Sequence, residues 1–301
     1  MHQTKMTLLT VVMLALSPIY SVMAQVTEQL ASHPDLPPDD IRTIEHDLIT
    51  PKMIEGDPAA GKRVKHQLTR YAGTEVHHAL YLPENWRAGQ TYPVIVEYAG
   101  NGPYQNSFGD QCTGNVADCN LGYGISGGKD FIWVCMPLIA VDHQRNQRQW
   151  WGDLDESVLY CREVIQSLID EFGADPKNLF LAGFSRGAIA CNYVGLHDDA
   201  IAKLWKGFIC HSHYDGVRKW GYQGSDRVAA ASRLKRLRGR PQFISHEKSA
   251  KATESYLDEV GRPRNLEIHS LPFRNHTDQW VLRDLPLRET LRAWVRSNLN
   301  R

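Results

Sequence analysis

The sequence lacks an excess of charge of either sign, and this absence limits the partners that the protein can bind. Its 301 residues include 34 Lys and Arg and 34 Asp and Glu, so the formal net charge is zero. Proteins that bind nucleic acid or anionic membranes usually present a basic excess, because both partners are polyanions. We therefore expect no nucleic-acid partner. The hydrophobic fraction of 42% is ordinary for a globular protein and can form a sizeable core.

Hydrophobic runs long enough to cross a membrane are also absent. A spanning helix needs about 20 apolar residues, and the apolar run over 6–16 is too short. It follows the basic Lys5 and precedes small residues at Val22 and Ala24, which is typical of a cleaved secretory signal. The sequence thus predicts a signal peptide over 1–24, a secreted or periplasmic location and no membrane association after cleavage.

None of the six cysteines has the Cys-x-x-Cys spacing of a zinc or redox site, so we expect no metal at these residues. Exported proteins often form disulfides. Cys112 and Cys119 lie close together in a glycine-rich, polar stretch, and we predict a disulfide between them. The other four fall in apolar segments and are expected to be small buried residues: Cys135, Cys161, Cys191 and Cys210.

Strand and helix patterns alternate after an irregular, proline-rich lead-in over 25–63. Short apolar runs predict strands, and apolar residues at spacings of three and four predict helices. The predicted strands are 64–70, 75–82, 92–98, 131–136, 178–182, 207–210, 242–245 and 266–271, and the predicted helices are 154–172, 188–196, 228–237 and 287–299. This alternation predicts an α/β fold over 64–301, with a mostly parallel central sheet and helices on both faces.

A long stretch over 100–129 fits this alternation poorly, because it is rich in glycine and shows little periodicity. Loops of this length in a compact domain are usually functional. The stretch follows the strongest predicted strand, on the side where open α/β sheets bind ligands. We therefore expect it to contribute to a site.

A candidate nucleophile lies between a predicted strand and a predicted helix, in Gly183-Phe184-Ser185-Arg186-Gly187. Two glycines around a serine allow a strand-to-helix turn so tight that a β-carbon at either position would clash. Such a turn exposes the serine hydroxyl beside a helix N-terminus, which favours negative charge. The pattern predicts that Ser185 is a nucleophile.

A serine hydroxyl is a weak nucleophile unless a base accepts its proton. We predict that His276, between the last strand and the last helix, is this base, with His246 in reserve. The acid that should orient the histidine is ambiguous. Asp215 follows one predicted strand and is the first choice, and Glu247 at the tip of the next strand is the second. The remaining alternatives are that Glu254 orients the histidine, or that no acid does.

Attack on an ester leaves a negatively charged oxygen that backbone amides stabilise. One donor is expected from the N–H of Arg186 and the other from the loop at Gly100 and Asn101. Trp150 and Trp151 precede the predicted helix over 154–172. Adjacent tryptophans in a loop either stack on a sugar ring or an aromatic acyl group, or simply pack, and we predict a substrate wall.

These features resemble the α/β-hydrolase superfamily and, more narrowly, secreted esterases of the polyhydroxyalkanoate-depolymerase, feruloyl-esterase and acetylxylan-esterase type. The matching segments are 78–83, 99–102, 175–179, 183–187 and the late His276. Two positions depart from the pattern of these esterases. Ala250 stands where they often carry the acid, and Arg186 follows the serine where Met or Gln is common.

The resemblance implies a secreted serine esterase that forms an acyl-enzyme on Ser185, with His276 as base and no cofactor. The implied partner is a small-molecule or polysaccharide ester, with acyl or aryl esters favoured. The alternatives are a peptidase or lipase on the same fold, or a secreted carbohydrate-binding protein that kept the fold and lost the activity. A fold by itself does not decide between these functions.

Overall fold

The structure is a computed structural model that describes residues 36–299. The predicted signal peptide over 1–24 and the first part of the predicted lead-in lie outside the described residues. Among the described residues, no helix is both long enough and apolar enough to cross a membrane.

Eight strands form the central sheet, in the order β1-β2-β6-β3-β7-β8-β9-β10. Their bounds are β1 (Arg63–His66), β2 (His78–Tyr81), β3 (Tyr92–Tyr98), β6 (Ile132–Met136), β7 (Ala174–Phe184), β8 (Gly207–His211), β9 (Gln242–Glu247) and β10 (Leu266–Leu271), while β4 (Tyr104–Gln105) and β5 (Gln111–Cys112) form a separate hairpin. β2 is antiparallel to both neighbours, and the strands from β6 across to β10 are parallel. The predicted mostly parallel sheet is confirmed.

Helices connect the strands and cover both faces of the sheet. They are α1 (Leu121–Ser126), α2 (Leu154–Phe172), α3 (Arg186–Tyr193), α4 (Asp199–Ala202), α5 (Arg227–Leu234), α6 (Lys251–Val260) and α7 (Pro286–Ser297). The prediction for α2 has the observed bounds because both ends carry clear signals. Asp153 caps the first turn by accepting from the backbone N–H of Glu156, and Gly173 ends the helix in a left-handed conformation.

Side chains alternate along the central strands between two hydrophobic layers. On β3, Val94 and Val96 pack into the layer that contains α2 and α3, whereas Ile95 packs into the layer that contains α1 and α7. A parallel strand that is buried on both faces has a continuous apolar sequence. This is why the run at 94–96 predicts its strand so clearly.

The sequence pattern did not predict α1, α4 or α6. α1 contains Gly122 and Gly124, and glycine lowers helix propensity. The fold needs both glycines, because a β-carbon would lie 2.1 Å from the Trp133 ring in one case and 2.3 Å from the Val281 side chain in the other. In α6 most positions are polar, and the buried residues are confined to Thr253, Tyr256 and Leu257.

The predicted disulfide between Cys112 and Cys119 is not formed. All six cysteines are free thiols. Cys119 is buried and turns toward Cys135 on β6, with the two sulfur atoms within 4.8 Å of each other. Cys112 instead lies beside Gly100, where a β-carbon would be 2.8 Å from the Cys112 Sγ. Cys112 and Cys119 line one cavity, yet no disulfide joins them.

Candidate active site

The candidate nucleophile lies in the tight turn between β7 and α3. Ser185 has a φ of 54° and a ψ of −115°, a strained conformation for a residue with a side chain. A β-carbon on Gly183 would lie 2.1 Å from the carbonyl carbon of Gly187, and one on Gly187 would lie 1.9 Å from the carbonyl oxygen of Tyr98. Glycine is therefore required on both sides of the serine, for the reason that the sequence motif indicates.

A histidine and a carboxylate lie in line with this serine. The Nε2 atom of His276, in the loop after β10, is 3.0 Å from the Ser185 Oγ. The Nδ1 atom of the same ring is 2.7 Å from the Oε1 of Glu247, which ends β9. With the Nδ1 proton donated to the carboxylate, Nε2 can accept the serine proton. The strand ends that carry these residues are parallel and meet at one edge of the sheet.

The environment of Glu247 keeps this carboxylate ionised. Burial by itself would raise the pKa of Glu247, but the hydrogen bond with His276 and the nearby His211 and His276 rings outweigh burial and lower the pKa to about 2. A negative charge next to the imidazole stabilises the imidazolium that forms when the serine is deprotonated. Glu247 thus has both the position and the charge that the third member of a triad needs.

The structure does not bring Asp215, the first choice from the sequence, to the histidine. Its carboxylate is buried, and the Arg233 guanidinium donates to it from Nε at 2.9 Å and from Nη2 at 3.1 Å. Glu254 lies within α6. His246, the reserve base, contacts the Ser212 carbonyl and the Thr253 hydroxyl, each at 2.9 Å. These contacts give Asp215 and His246 structural partners away from Ser185.

Ser212 belongs to the same cluster and was missed by the sequence analysis. Its hydroxyl lies 2.8 Å from Glu247 Oε1 and 2.7 Å from His276 Nδ1. The residue follows β8 and has a φ of 81°, so the chain holds another strained residue at the same sheet edge. No motif surrounds Ser212, and only its place directly after a strand could have drawn attention to it.

The long loop over 100–129 forms hydrogen bonds that position His276. The buried Asp110 carboxylate accepts hydrogen bonds from the His276 backbone N–H and from the Asn275 side-chain Nδ2, each at 2.9 Å. Asn106 donates to the same carboxylate at 2.8 Å. The loop lies at the site, as its sequence predicts, but no sequence signal indicates Asp110 in particular.

The proline-rich lead-in over 25–63 also contacts the loop that carries His276. The Ile41 backbone N–H donates to Asn275 Oδ1 at 2.7 Å, and the Arg274 guanidinium pairs with the buried Asp40 carboxylate at 3.1 Å. The Arg274 backbone N–H also donates to the Asp39 carbonyl at 2.9 Å. A segment without regular strands therefore helps to position His276.

Of the predicted oxyanion residues, Arg186 and Asn101 line the same cavity as Ser185, whereas Gly100 lines a different cavity. Within 36–299, the backbone N–H groups of Arg186 and Asn101 make no intramolecular hydrogen bond. The Asn101 side chain accepts from the Trp150 backbone N–H at 2.7 Å, which fixes this loop against the next one. Both donors are thus free to stabilise a charge that develops beside the serine.

The two predicted wall residues have different surroundings. Trp150 lines the cavity at Ser185, and its ring lies 5.3 Å from the Trp220 ring. Trp151 is 5% exposed and packs on Tyr193, with ring centroids 4.5 Å apart. Only Trp150 is therefore in a position to contact a substrate, and Trp151 is a core residue.

The cavity around Ser185 has a volume of about 470 Å³. Four aromatic and three basic side chains contribute to its wall: Tyr104, Phe108, Trp150, Trp220, Arg186, Arg218 and Arg274. His213 also lines it, with its ring 5.2 Å from the His276 ring. Burial lowers the pKa of His213 most, and the neighbouring His276 lowers it further, to about 4. The His213 ring is therefore neutral at pH 7.

One group of metal-capable side chains lies elsewhere in the described part of the chain: Glu97, Cys119 and Cys135. The Glu97 oxygens already accept from the backbone N–H groups of α1 and from the Trp133 indole at 2.8 Å. The Arg63 guanidinium lies 3.3 Å from the Cys135 sulfur, and its positive charge disfavours a cation there. We assign no metal to this group.

No protein-family model matches the sequence, and no curated protein matches it either. Solved structures do match. An S-formylglutathione hydrolase from Agrobacterium tumefaciens is 14% identical, with a TM-score of 0.54, and the match covers 82% of this chain and 99% of that one. A thermostable esterase is 13% identical, with a TM-score of 0.50, over 78% of this chain and 62% of that one. A putative dipeptidyl aminopeptidase IV from Bacteroides ovatus is 17% identical, with a TM-score of 0.54, over 79% of this chain and 36% of that one.

These likenesses show that the chain has the α/β-hydrolase fold, and the predicted fold class is confirmed. The chain spans less than two thirds of the length of the esterase and of the aminopeptidase. The three proteins are named for different activities on one fold, so the fold does not select a substrate. The narrower resemblance to secreted esterases stays a prediction.

Proposed function

We propose that this protein is a serine esterase that hydrolyses carboxylic esters through Ser185, His276 and Glu247. The observation that carries the proposal is the unbroken line of contacts from the Ser185 hydroxyl through the His276 ring to Glu247, at 3.0 and 2.7 Å. A buried serine in a strained turn, next to a base that a carboxylate orients, has the arrangement of an activated nucleophile.

The proposed reaction begins when the Ser185 Oγ attacks the ester carbonyl carbon while its proton passes to His276 Nε2. The carbonyl oxygen becomes negatively charged and is stabilised by the N–H groups of Arg186 and Asn101. The intermediate then breaks its bond to the alkoxy oxygen, which takes the proton from His276 and leaves as the alcohol. Water, deprotonated by the same histidine, attacks the acyl-enzyme and releases the carboxylic acid.

The proposed substrates are acyl or aryl esters, including esters carried on polysaccharides. The aromatic cavity wall supports this class, since Trp150 and Trp220 offer flat faces to a sugar ring or an aromatic acyl group. The proposed location is outside the cytoplasm, and it rests on the signal-like sequence over 1–24.

A fluorophosphonate probe and p-nitrophenyl acetate test the chemistry. We expect the probe to label Ser185 at neutral pH and the ester to be turned over. Ser185→Ala should abolish labelling and lower kcat by about 10⁶-fold, as the loss of a triad nucleophile does elsewhere. Ser167→Ala is the matched control, because Ser167 contacts only Glu171 on the exposed face of α2.

The outcomes separate the alternatives. A folded protein that neither reacts with the probe nor turns over any ester would contradict the proposal and would favour a carbohydrate-binding protein. Cleavage of peptides at rates above those for esters would favour a peptidase. A screen of acetylated and feruloylated glycans with the active protein would then narrow the substrate class.

A further inference from the structure

Two arginines in the candidate active-site cavity pair with no carboxylate of the described part of the chain. Arg186 and Arg218 both line the cavity. Within the described residues, no Asp or Glu oxygen lies within ion-pair distance of either guanidinium. Positive charge that the protein does not neutralise, in a cavity that contains a candidate nucleophile, indicates a substrate that supplies the negative charge.

Arg186 is the more deeply placed of the two. Its side chain is buried, and the guanidinium donates only to backbone carbonyl oxygens, of Trp150 at 2.9 Å, of Gln147 at 3.3 Å and of Ala99 at 3.5 Å. Carbonyl oxygens accept the hydrogen bonds of a guanidinium, but they are uncharged and do not neutralise its positive charge. An unpaired buried charge is costly, and an anion bound nearby would offset that cost.

Arg218 lies at the mouth of the cavity and is exposed. Its guanidinium carbon lies over the Trp220 ring, 4.3 Å from the ring centroid, so the indole face supports the charged group. The ring contact leaves the charge of the guanidinium in place. An arginine at this position can bind a carboxylate through two parallel hydrogen bonds.

The acidic groups around the cavity are already engaged. Glu247 is bound to the candidate base and to a serine hydroxyl. Asp110 accepts from the loop that carries that base. Asp40 pairs with both Arg42 and Arg274, so the third arginine of the cavity has a carboxylate partner that it shares with Arg42. Among the described residues, Arg186 and Arg218 are the cavity arginines that pair with no carboxylate.

We propose that the cavity binds esters that carry a carboxylate on the acyl or the alcohol part, and that Arg218 binds this carboxylate. The inference rests on the proposed esterase function and adds to it a substrate class and a specificity-determining residue. Trp150, whose ring lies 5.3 Å from the Trp220 ring, forms the adjoining wall for the uncharged part of the ligand.

Pairs of chromogenic esters that differ by one carboxylate test the preference. The acyl pair is mono-p-nitrophenyl glutarate and its neutral methyl ester. The alcohol pair is p-nitrophenyl acetate with and without a carboxylate on the ring. We expect kcat/KM to be at least about tenfold higher for the anionic member of one pair, because a hydrogen bond to an ionised partner is stronger than one to a neutral group. The pair that shows the preference identifies which part carries the anion.

Substitutions at position 218 assign the preference to one side chain. Arg218→Gln should remove it, so that the ratio of kcat/KM for the anionic ester to kcat/KM for its neutral partner falls to about one. Both members of a pair meet the same altered cavity, so a general change in rate cancels in this ratio. Arg218→Lys should keep part of it, because the charge remains but the paired hydrogen bonds do not. Lys219→Gln is the matched control for lost charge: Lys219 is the next residue, and it does not line the cavity.

Wild-type protein that hydrolyses neutral esters at least as fast as both anionic esters would overturn this inference and leave the esterase proposal standing. So would an anionic preference that survives in Arg218→Gln. Equal loss of the preference in Lys219→Gln would assign it to the general field and overturn the role of Arg218.

Binding to the Ser185→Ala variant gives a readout that does not depend on catalysis. Isothermal titration calorimetry would compare p-nitrobenzoate with p-nitrobenzyl alcohol. We expect the carboxylate to bind at least about tenfold more tightly, and Arg218→Gln in this background to remove the difference. Equal affinities would overturn the inference even if no ester is ever hydrolysed, whereas absence of labelling and turnover alone would contradict the esterase proposal.

Discussion

Ser185 and His276 lie 3.0 Å apart across the candidate site, yet the chain holds them by different means. One short backbone segment, Gly183–Gly187, positions the serine, and the restraint is steric. The histidine is positioned by polar side chains from distant segments, among them Asp110 and Glu247. The nucleophile side is therefore encoded locally, and the base side depends on the assembled tertiary structure.

Among the predicted changes, a substitution that disturbs the tight turn at Ser185 should have the largest effect on stability and activity. In Gly187→Ala the new β-carbon would lie 1.9 Å from the Tyr98 carbonyl oxygen, and neither backbone can yield easily. On helix propensity alone, alanine would stabilise α3 by about 1 kcal/mol. We expect instead a lower free energy of unfolding, by about 1–3 kcal/mol or more, and no detectable esterase activity.

Gly221→Ala is the control, because a β-carbon at Gly221 meets no atom within 4 Å. Thermal unfolding and probe labelling would be measured on both variants. A Gly187→Ala protein with wild-type stability and activity would contradict the steric account of the turn.

The carboxylates Glu247 and Asp215 should separate activity from stability. Glu247→Gln keeps the shape but removes the charge beside the imidazole, and we expect kcat to fall by about 10⁴-fold with little change in stability. Asp215→Asn breaks the buried pair with Arg233, and we expect a loss of about 3–5 kcal/mol in unfolding free energy but near-normal kcat in the folded protein.

Turnover of p-nitrophenyl acetate and chemical denaturation of the same preparations distinguish the two roles. Loss of kcat in Asp215→Asn with full activity in Glu247→Gln would reverse the assignment of the acid.

Loss of the Asp110 contacts should lower kcat less than loss of the Glu247 charge does. Asp110→Ala removes the acceptor for the His276 backbone N–H and for the Asn275 side chain. A displacement of a catalytic group by about 1 Å can cost about 10²-fold, and we expect kcat to fall by about 10- to 100-fold. Asp118→Ala, in the same loop but exposed, should retain wild-type activity. Unchanged turnover in Asp110→Ala would show that the loop does not position the histidine.

Ser212 should have the smallest effect of the four. Its hydroxyl contacts both Glu247 and His276, but these two side chains also contact each other directly. Ser212→Ala therefore removes both contacts of this hydroxyl but leaves the direct contact between Glu247 and His276, and we expect kcat to fall by about 2- to 10-fold. A loss as large as that of Glu247→Gln would mean that the serine, and not the carboxylate, orients the ring. Ser167→Ala again controls for the substitution itself.

Signals within single segments were enough to predict several elements of the fold and the site. The α2 helix, β3 and the serine turn each depend on residues within one segment, and each appears where the sequence indicates. The choice between Asp215 and Glu247 could not be made in this way, because both follow strands that end at the same sheet edge. Arg233, which is 18 residues beyond Asp215, binds that carboxylate, and no pattern around Asp215 reveals this partner.

Sequence by itself determined the alternation of strands and helices, the tight turn at Ser185 and the candidacy of His276, because periodicity and steric limits act between residues close in the chain. Tertiary structure alone decided that Glu247 meets the histidine, that Trp150 and not Trp151 lines the cavity at Ser185, and that Cys119 lies next to Cys135. Within residues 36–299 it also left Arg186 and Arg218 without acidic partners. Side-chain contacts and charge balance depend on which distant segments the fold brings together, and a linear sequence does not state those distances.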